Sequence, residues 1–226
     1  MSGLSSSNFH LVGNPYASAV NFSGVLAASS GIEGRYWVWD PNSGGVGSYK
    51  LFETGLGWVT ASGGAPAGSG FGSNGIIPSG QAIFVRTTAT GNAVTFTEAS
   101  KNTNVGNGGL RPGSNDPRLG VSLNKIVSNQ KELRDGVLVL YVTGANPGVD
   151  TDDALKLPNF GENIAIVRQG VDLTLERRSA ITQRDTLQLR MWNMAQTNYQ
   201  LELLPENLQL PTGFTAVLQD QFLATE

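Results

Sequence analysis

Residues 35–52 read RYWVWDPNSGGVGSYKLF, and this stretch sets the class of the fold. Arg35 to Asp40 concentrates aromatic and β-branched side chains, the composition of a strand. Pro41-Asn42-Ser43-Gly44-Gly45 then supplies turn residues, and Gly47 to Phe52 returns as a second strand. The stretch therefore predicts a β-hairpin. Alternation puts Trp37 and Trp39 on one face and Tyr36 and Val38 on the other. One face must enter a core, and the other is free to meet solvent.

The same signals recur on both sides. Phe9 to Val12, Gln81 to Arg86 and Ala93 to Thr97 predict strands in the first half. Arg118 to Leu123, Gly136 to Val142, Asn163 to Arg168, Asp185 to Trp192, Tyr199 to Leu204 and Thr215 to Asp220 predict them in the second. Val20 to Ala28 is apolar without a clean period and suits a short helix or a turn. Ala61 to Gly75 is nearly all Gly, Ala, Ser and Pro, which marks a surface loop.

Composition agrees with many short strands. Of 226 residues, 29 are Gly and 10 Pro, and only 15% are charged. Up to Pro112 there are five basic and four acidic residues; beyond it there are ten and fourteen. This break, with the turn-rich Asn102 to Asn115 stretch, predicts two domains, residues 1–105 and 106–226. The expected fold is all-β: two β-sandwich or jelly-roll-like modules, the second immunoglobulin-like. A net charge of −3 argues against a nucleic-acid partner. No apolar run reaches the roughly 18 residues of a membrane span. The absence of cysteine removes disulfides and thiol chemistry.

Four motifs lie in a particular order. FHLVGNPYAS spans 9–18, YWVWDPN spans 36–42, NGIIPSGQAIFV spans 74–85, and GVDTDDALKL spans 148–157. In order and spacing they resemble the β-sandwich region that precedes the C-terminal sorting domain in type IX-secreted Bacteroidetes surface proteins. The resemblance implies a secreted, cell-surface, adhesin-like setting with no enzyme activity of its own. It also implies further strands past Phe222, so the last sandwich is expected to lack its final strand. That leaves an unpaired edge for another segment to fill.

Candidate sites are few. His10 is the only histidine, so any Ser-His-Asp triad must use it; a strand position beside Leu11 and Val12 suits a structural role better. Asp150, Asp152 and Asp153 form the acidic cluster, open to two readings: a calcium-binding loop, or a tight turn closed by the carboxylates. Trp37, Trp39, Tyr49 and Trp58 crowd one stretch, also open to two readings: cross-strand packing, or an exposed platform for sugar rings. The expected function is thus a non-catalytic extracellular structural and adhesion module. Its expected partners are neighbouring domains or a strand of another protein. The alternative is a carbohydrate-binding module that meets surface glycans through the Trp and Tyr face.

Overall fold

The computed structural model describes residues 1–43, 45–66, 70–72, 74–102, 116–182, 185–210 and 212–220. The first half contains β1 (Ser2–Leu4), β2 (Phe9–Gly13), β3 (Val20–Asn21), α1 (Phe22–Ala28), β4 (Arg35–Asp40), β5 (Ser48–Glu53), β6 (Gly57–Trp58), β7 (Ile76–Ile77), β8 (Ala82–Arg86) and β9 (Asn92–Ala93). The second contains β10 (Arg118–Val127), β11 (Gln130–Tyr141), β12 (Ala154–Leu155), β13 (Asn163–Arg168), β14 (Val171–Arg178), β15 (Leu189–Trp192) and β16 (Tyr199–Glu206). The all-β, sandwich-like expectation is met. α1 is short, with the Asn21 side chain capping its start.

The hairpin of residues 35–52 forms as expected, with Trp39 opposite Tyr49 and Trp37 opposite Leu51. It is the centre of a five-stranded sheet in the order β2-β8-β4-β5-β6. The second half builds one sheet in the order β15-β13-β14-β11-β10-β16, with β12 also on β14. Residues from β10, β11, β13 and β14 share one apolar cluster, and outer Leu189, Tyr199 and Leu201 pack on it too. The sheet therefore curls around its own concave core.

No described strand of one half pairs with a strand of the other. Packing nevertheless joins them. Trp37, Leu51, Val59 and Ala61 share a buried cluster with Leu138, Leu140, Ala154 and Leu175. The five-stranded sheet is thus a middle layer, with Tyr36, Val38 and Phe52 packing with Phe22 and Val25 of α1 on its far side. This explains why YWVW and GVLVLY are continuous apolar runs: both strands are buried on two faces. Each fully buried Leu or Val contributes about 1.5–3 kcal/mol.

Several elements differ from the sequence expectation. The expected strand Ala93 to Thr97 stops at Ala93, because the next N–H groups leave the ladder: Val94 bonds Met1 O, and Thr95 bonds the Ser29 hydroxyl. Residues 214–219 form no strand, and the expected Asp185 start moves to Leu189. β14 was not anticipated at all. Its four charged residues, Asp172, Glu176, Arg177 and Arg178, mask the alternation of VDLTLERR, yet Arg168 and Arg178 neutralise the buried Glu176. Of the expected linker, Asn102 to Asn115, residues 103–115 lie outside the described residues, as does Phe222.

Candidate functional site

The four sequence-flagged aromatics do not form one platform. Trp37 is 1% exposed, edge-on to Phe9 at 4.9 Å, and belongs to the core between the sheets. Trp58 turns to the opposite face, packing near Tyr36 and Phe52, and its Nε1 donates to Gly72 O at 3.1 Å. A platform of Trp37 with Trp39 is therefore corrected: the second-half sheet covers the face they share, and only its rim is open. At that rim Trp39 stays half-buried, edge-on to Tyr49 at 4.9 Å.

Phe160 completes the rim. Its ring lies 5.2 Å from Trp39 and is 82% exposed. The turn that carries it is fixed from below. Asn163, wholly buried, donates to Asn159 O at 3.0 Å and Gly161 O at 2.7 Å, and accepts from Asn159 N–H at 2.7 Å. Asn159 in turn accepts the Tyr49 N–H at 2.7 Å. The β4–β5 turn closes the other side. Gly47, at φ +88, lies so close to the indole that a Cβ there would fall 2.2 Å from Trp39 Cζ2. Only glycine suits that position on both counts.

On the opposite face of the hairpin from Trp39 and Tyr49 opens a cleft of about 410 Å³. Asp40 and Lys50 line it, with Asn42, Ser43 and Glu132. The buried Lys50 ammonium donates to Ser43 Oγ at 2.9 Å and to Ser62 O. Burial pulls its pKa below the ordinary lysine range, against the opposing pull of Asp40 and Asp135. Asp40 accepts the Asn42 N–H at 3.0 Å, closing the turn. In the β10–β11 pairing Leu123 faces Asp135 and Asn124 faces Leu133, so Arg134 is a bulge. Its guanidinium lies under Gly45 and pairs with Glu132 at 2.7 Å.

A family described as a domain of unknown function, DUF8693, matches residues 2–224. The chain belongs to this family. No curated protein and no solved structure matches the chain.

In this DUF8693 chain the acidic cluster is a structural turn. Asp150 accepts the Asp152 N–H at 2.8 Å. Asp153 accepts the Asp150 N–H at 3.1 Å and the Arg177 N–H at 2.8 Å. These oxygens face backbone donors, and no group of three ligating side chains suited to a metal occurs among the described residues. The calcium reading does not fit that geometry. The turn instead docks on the first half: Arg35 donates to Thr151 O at 2.7 Å, while Arg177 joins Asp152 O to the Glu53 carboxylate. Burial raises the pKa of Asp153, and also that of Glu33 deeper in the same network.

His10 sits at the edge of the first sheet, with Nε2 3.1 Å from Ser5 O and 3.5 Å from Thr87 Oγ1. Sequence reasoning missed Phe160, Lys50 and Glu132. The available signal for Phe160 was an aromatic in a Pro-Asn-Phe-Gly turn, where packing does not require one.

Proposed function

We propose that this domain is a non-catalytic, extracellular structural and adhesion module of a larger secreted surface protein. The observation that carries the reading is the bracing of its halves. Arg177 of β14 pairs with Glu53 of β5, 124 residues apart in the chain, beside a core that both halves share. Such bracing suits a spacer that passes load between neighbouring domains without a hinge. The engagement of His10 and the acidic turn with backbone groups supports the non-catalytic part. The four ordered motifs support export by the type IX route of a Bacteroidetes cell.

The partner reading rests on β16. It pairs with β10 along one side and with no described strand along the other. Leu203 and Leu204 on it are exposed. An edge of this kind accepts a strand from a neighbouring segment through backbone hydrogen bonds.

Antibodies raised against the purified domain test the location. They are expected to label intact, unpermeabilised cells of the source organism, and to lose that label when the type IX machinery is deleted. Labelling that requires permeabilisation overturns the reading.

A further inference from the structure

We infer that Lys156 and Asp135 condense to an intramolecular isopeptide bond, an amide between Lys156 Nζ and Asp135 Cγ that ties β11 to the segment ahead of β13. The inference goes beyond the adhesion reading and does not depend on it, since a cross-link within one chain forms wherever the domain folds.

The two groups are placed as reactants. Lys156 Nζ lies 2.6 Å from Asp135 Oδ1 and 2.5 Å from Oδ2, so the nitrogen sits astride the carboxylate and next to its carbon. A nucleophile held in contact with its target by the fold has already met the entropic cost of encounter. The side chains are 3% and 1% exposed, so bulk water does not compete for either group. The other described lysines differ. Lys101–Glu98, Lys125–Glu162 and Lys131–Glu202 each leave at least one partner open to solvent. Lys50 is buried, but it donates to Ser43 Oγ and Ser62 O, neither of which belongs to a carboxylic acid.

The step balances within the pair. The Lys156 ammonium passes one proton to the Asp135 oxygen that it touches, leaving an amine and a carboxylic acid. The amine lone pair forms the bond to Cγ. The C–O bond to the protonated oxygen breaks, and that oxygen takes a second proton from the nitrogen and leaves as water. Backbone donors already hold both oxygens, Gly136 N–H on Oδ1 at 2.9 Å and Ile164 N–H on Oδ2 at 2.8 Å. Whichever oxygen leaves, the other keeps a donor for the negative charge of the tetrahedral intermediate, and afterwards for the amide carbonyl.

Burial supplies the drive. In water, an ammonium and a carboxylate are stabilised by their hydration shells; here both have lost that hydration. Condensation withdraws two buried charges at once and releases water. The neighbouring Lys50 interacts with Asp40 as well as with Asp135 and Lys156, so its charge keeps a carboxylate partner when the pair is gone. The bond spans 21 residues of chain and narrows the unfolded ensemble as a disulfide across the same loop does. It also secures β11, which carries Leu138 and Leu140 into the core shared with the first sheet.

The test weighs the full 226-residue chain by mass spectrometry after denaturation, once the folded protein has been held for several days at growth temperature. The wild type is expected to be lighter than its sequence by the mass of one water. A protease digest is expected to yield a branched peptide that joins position 135 to position 156. Lys156→Arg keeps the positive charge but lacks the amine, and is expected to show its full sequence mass. A wild type at full sequence mass overturns the inference, as does a water loss that maps elsewhere or persists in Lys156→Arg. The mass of the chain is read independently of surface labelling, so either result can fail without the other.

Discussion

Lys156 places its ammonium 2.6 and 2.5 Å from the two carboxylate oxygens of Asp135, and both side chains are almost wholly withdrawn from water. Asp135 also accepts the N–H groups of Gly136 and Ile164, at 2.9 and 2.8 Å. The pair ties β11 to the segment after β12 and to the start of β13. Removing the cation strands a buried carboxylate. Lys156→Met is expected to cost about 3–5 kcal/mol in urea unfolding. Lys156→Met combined with Asp135→Leu is expected to cost less than the sum of the two single changes. Strict additivity would show that the two charges do not depend on each other.

Gly136 is a contact between the halves. A Cβ there would fall 2.0 Å from Ala61 O and 2.8 Å from Ser62 N, both backbone atoms. Ser122 reinforces the contact by donating to the same Ala61 oxygen at 2.7 Å. Gly136→Ala must push the loop off β11, and is expected to destabilise by at least about 1–3 kcal/mol, the usual cost of overpacking. Gly170→Ala is the control: nothing lies near its Cβ, so only its left-handed φ of +79 is strained. Equal losses at the two glycines, measured as urea midpoints, would remove the special role of the Ala61 contact.

The Asp153 carboxylate acts on backbone donors rather than on an ion. Asp153→Ala is expected to lower stability by about 1–3 kcal/mol, since two N–H groups lose their acceptor. Calcium and chelator are expected to leave the thermal midpoint unchanged in the wild type. A rise of several degrees with calcium would restore the metal reading of this turn.

Burial raises the pKa of Glu33, Glu176 and Asp153 above their ordinary values, against the pull of nearby arginines and backbone donors. A folded state that holds a proton more tightly than the unfolded chain is favoured at low pH. The contribution of these groups is complete below the unfolded carboxylate pKa of about 4, and is lost as pH rises through the folded values. Unfolding free energy from these groups should therefore fall as pH rises above about 4. Glu176→Gln is expected to flatten that slope, read as urea midpoints across the range. An unchanged slope would place the Glu176 pKa at its ordinary value.

Legibility in the sequence followed locality. The 35–52 hairpin, β2, β8, β13 and β16 were readable because alternation and turn residues act over a few neighbours. α1 was readable only as helix or turn, since seven residues carry too little periodicity. β14 was hidden because its charges are neutralised by Arg168 on another strand as well as by its own Arg178. The candidate site was half legible. Trp39 and Tyr49 were named, but Phe160 was not, because its neighbour Asn159 meets Tyr49 across 110 residues of chain.

By itself the sequence determined an all-β chain, its hairpins and the turn-rich breaks between them. Those properties depend on side-chain alternation, turn chemistry and composition. Only the tertiary structure decided that the first sheet is covered twice, burying Trp37 and leaving Trp39 at a rim beside Phe160. Only it decided that Asp150 to Asp153 brace the halves through Arg177 and Arg35. The physical reason is that burial on a second face depends on which distant sheet packs there, and a strand's own pattern carries no record of that choice.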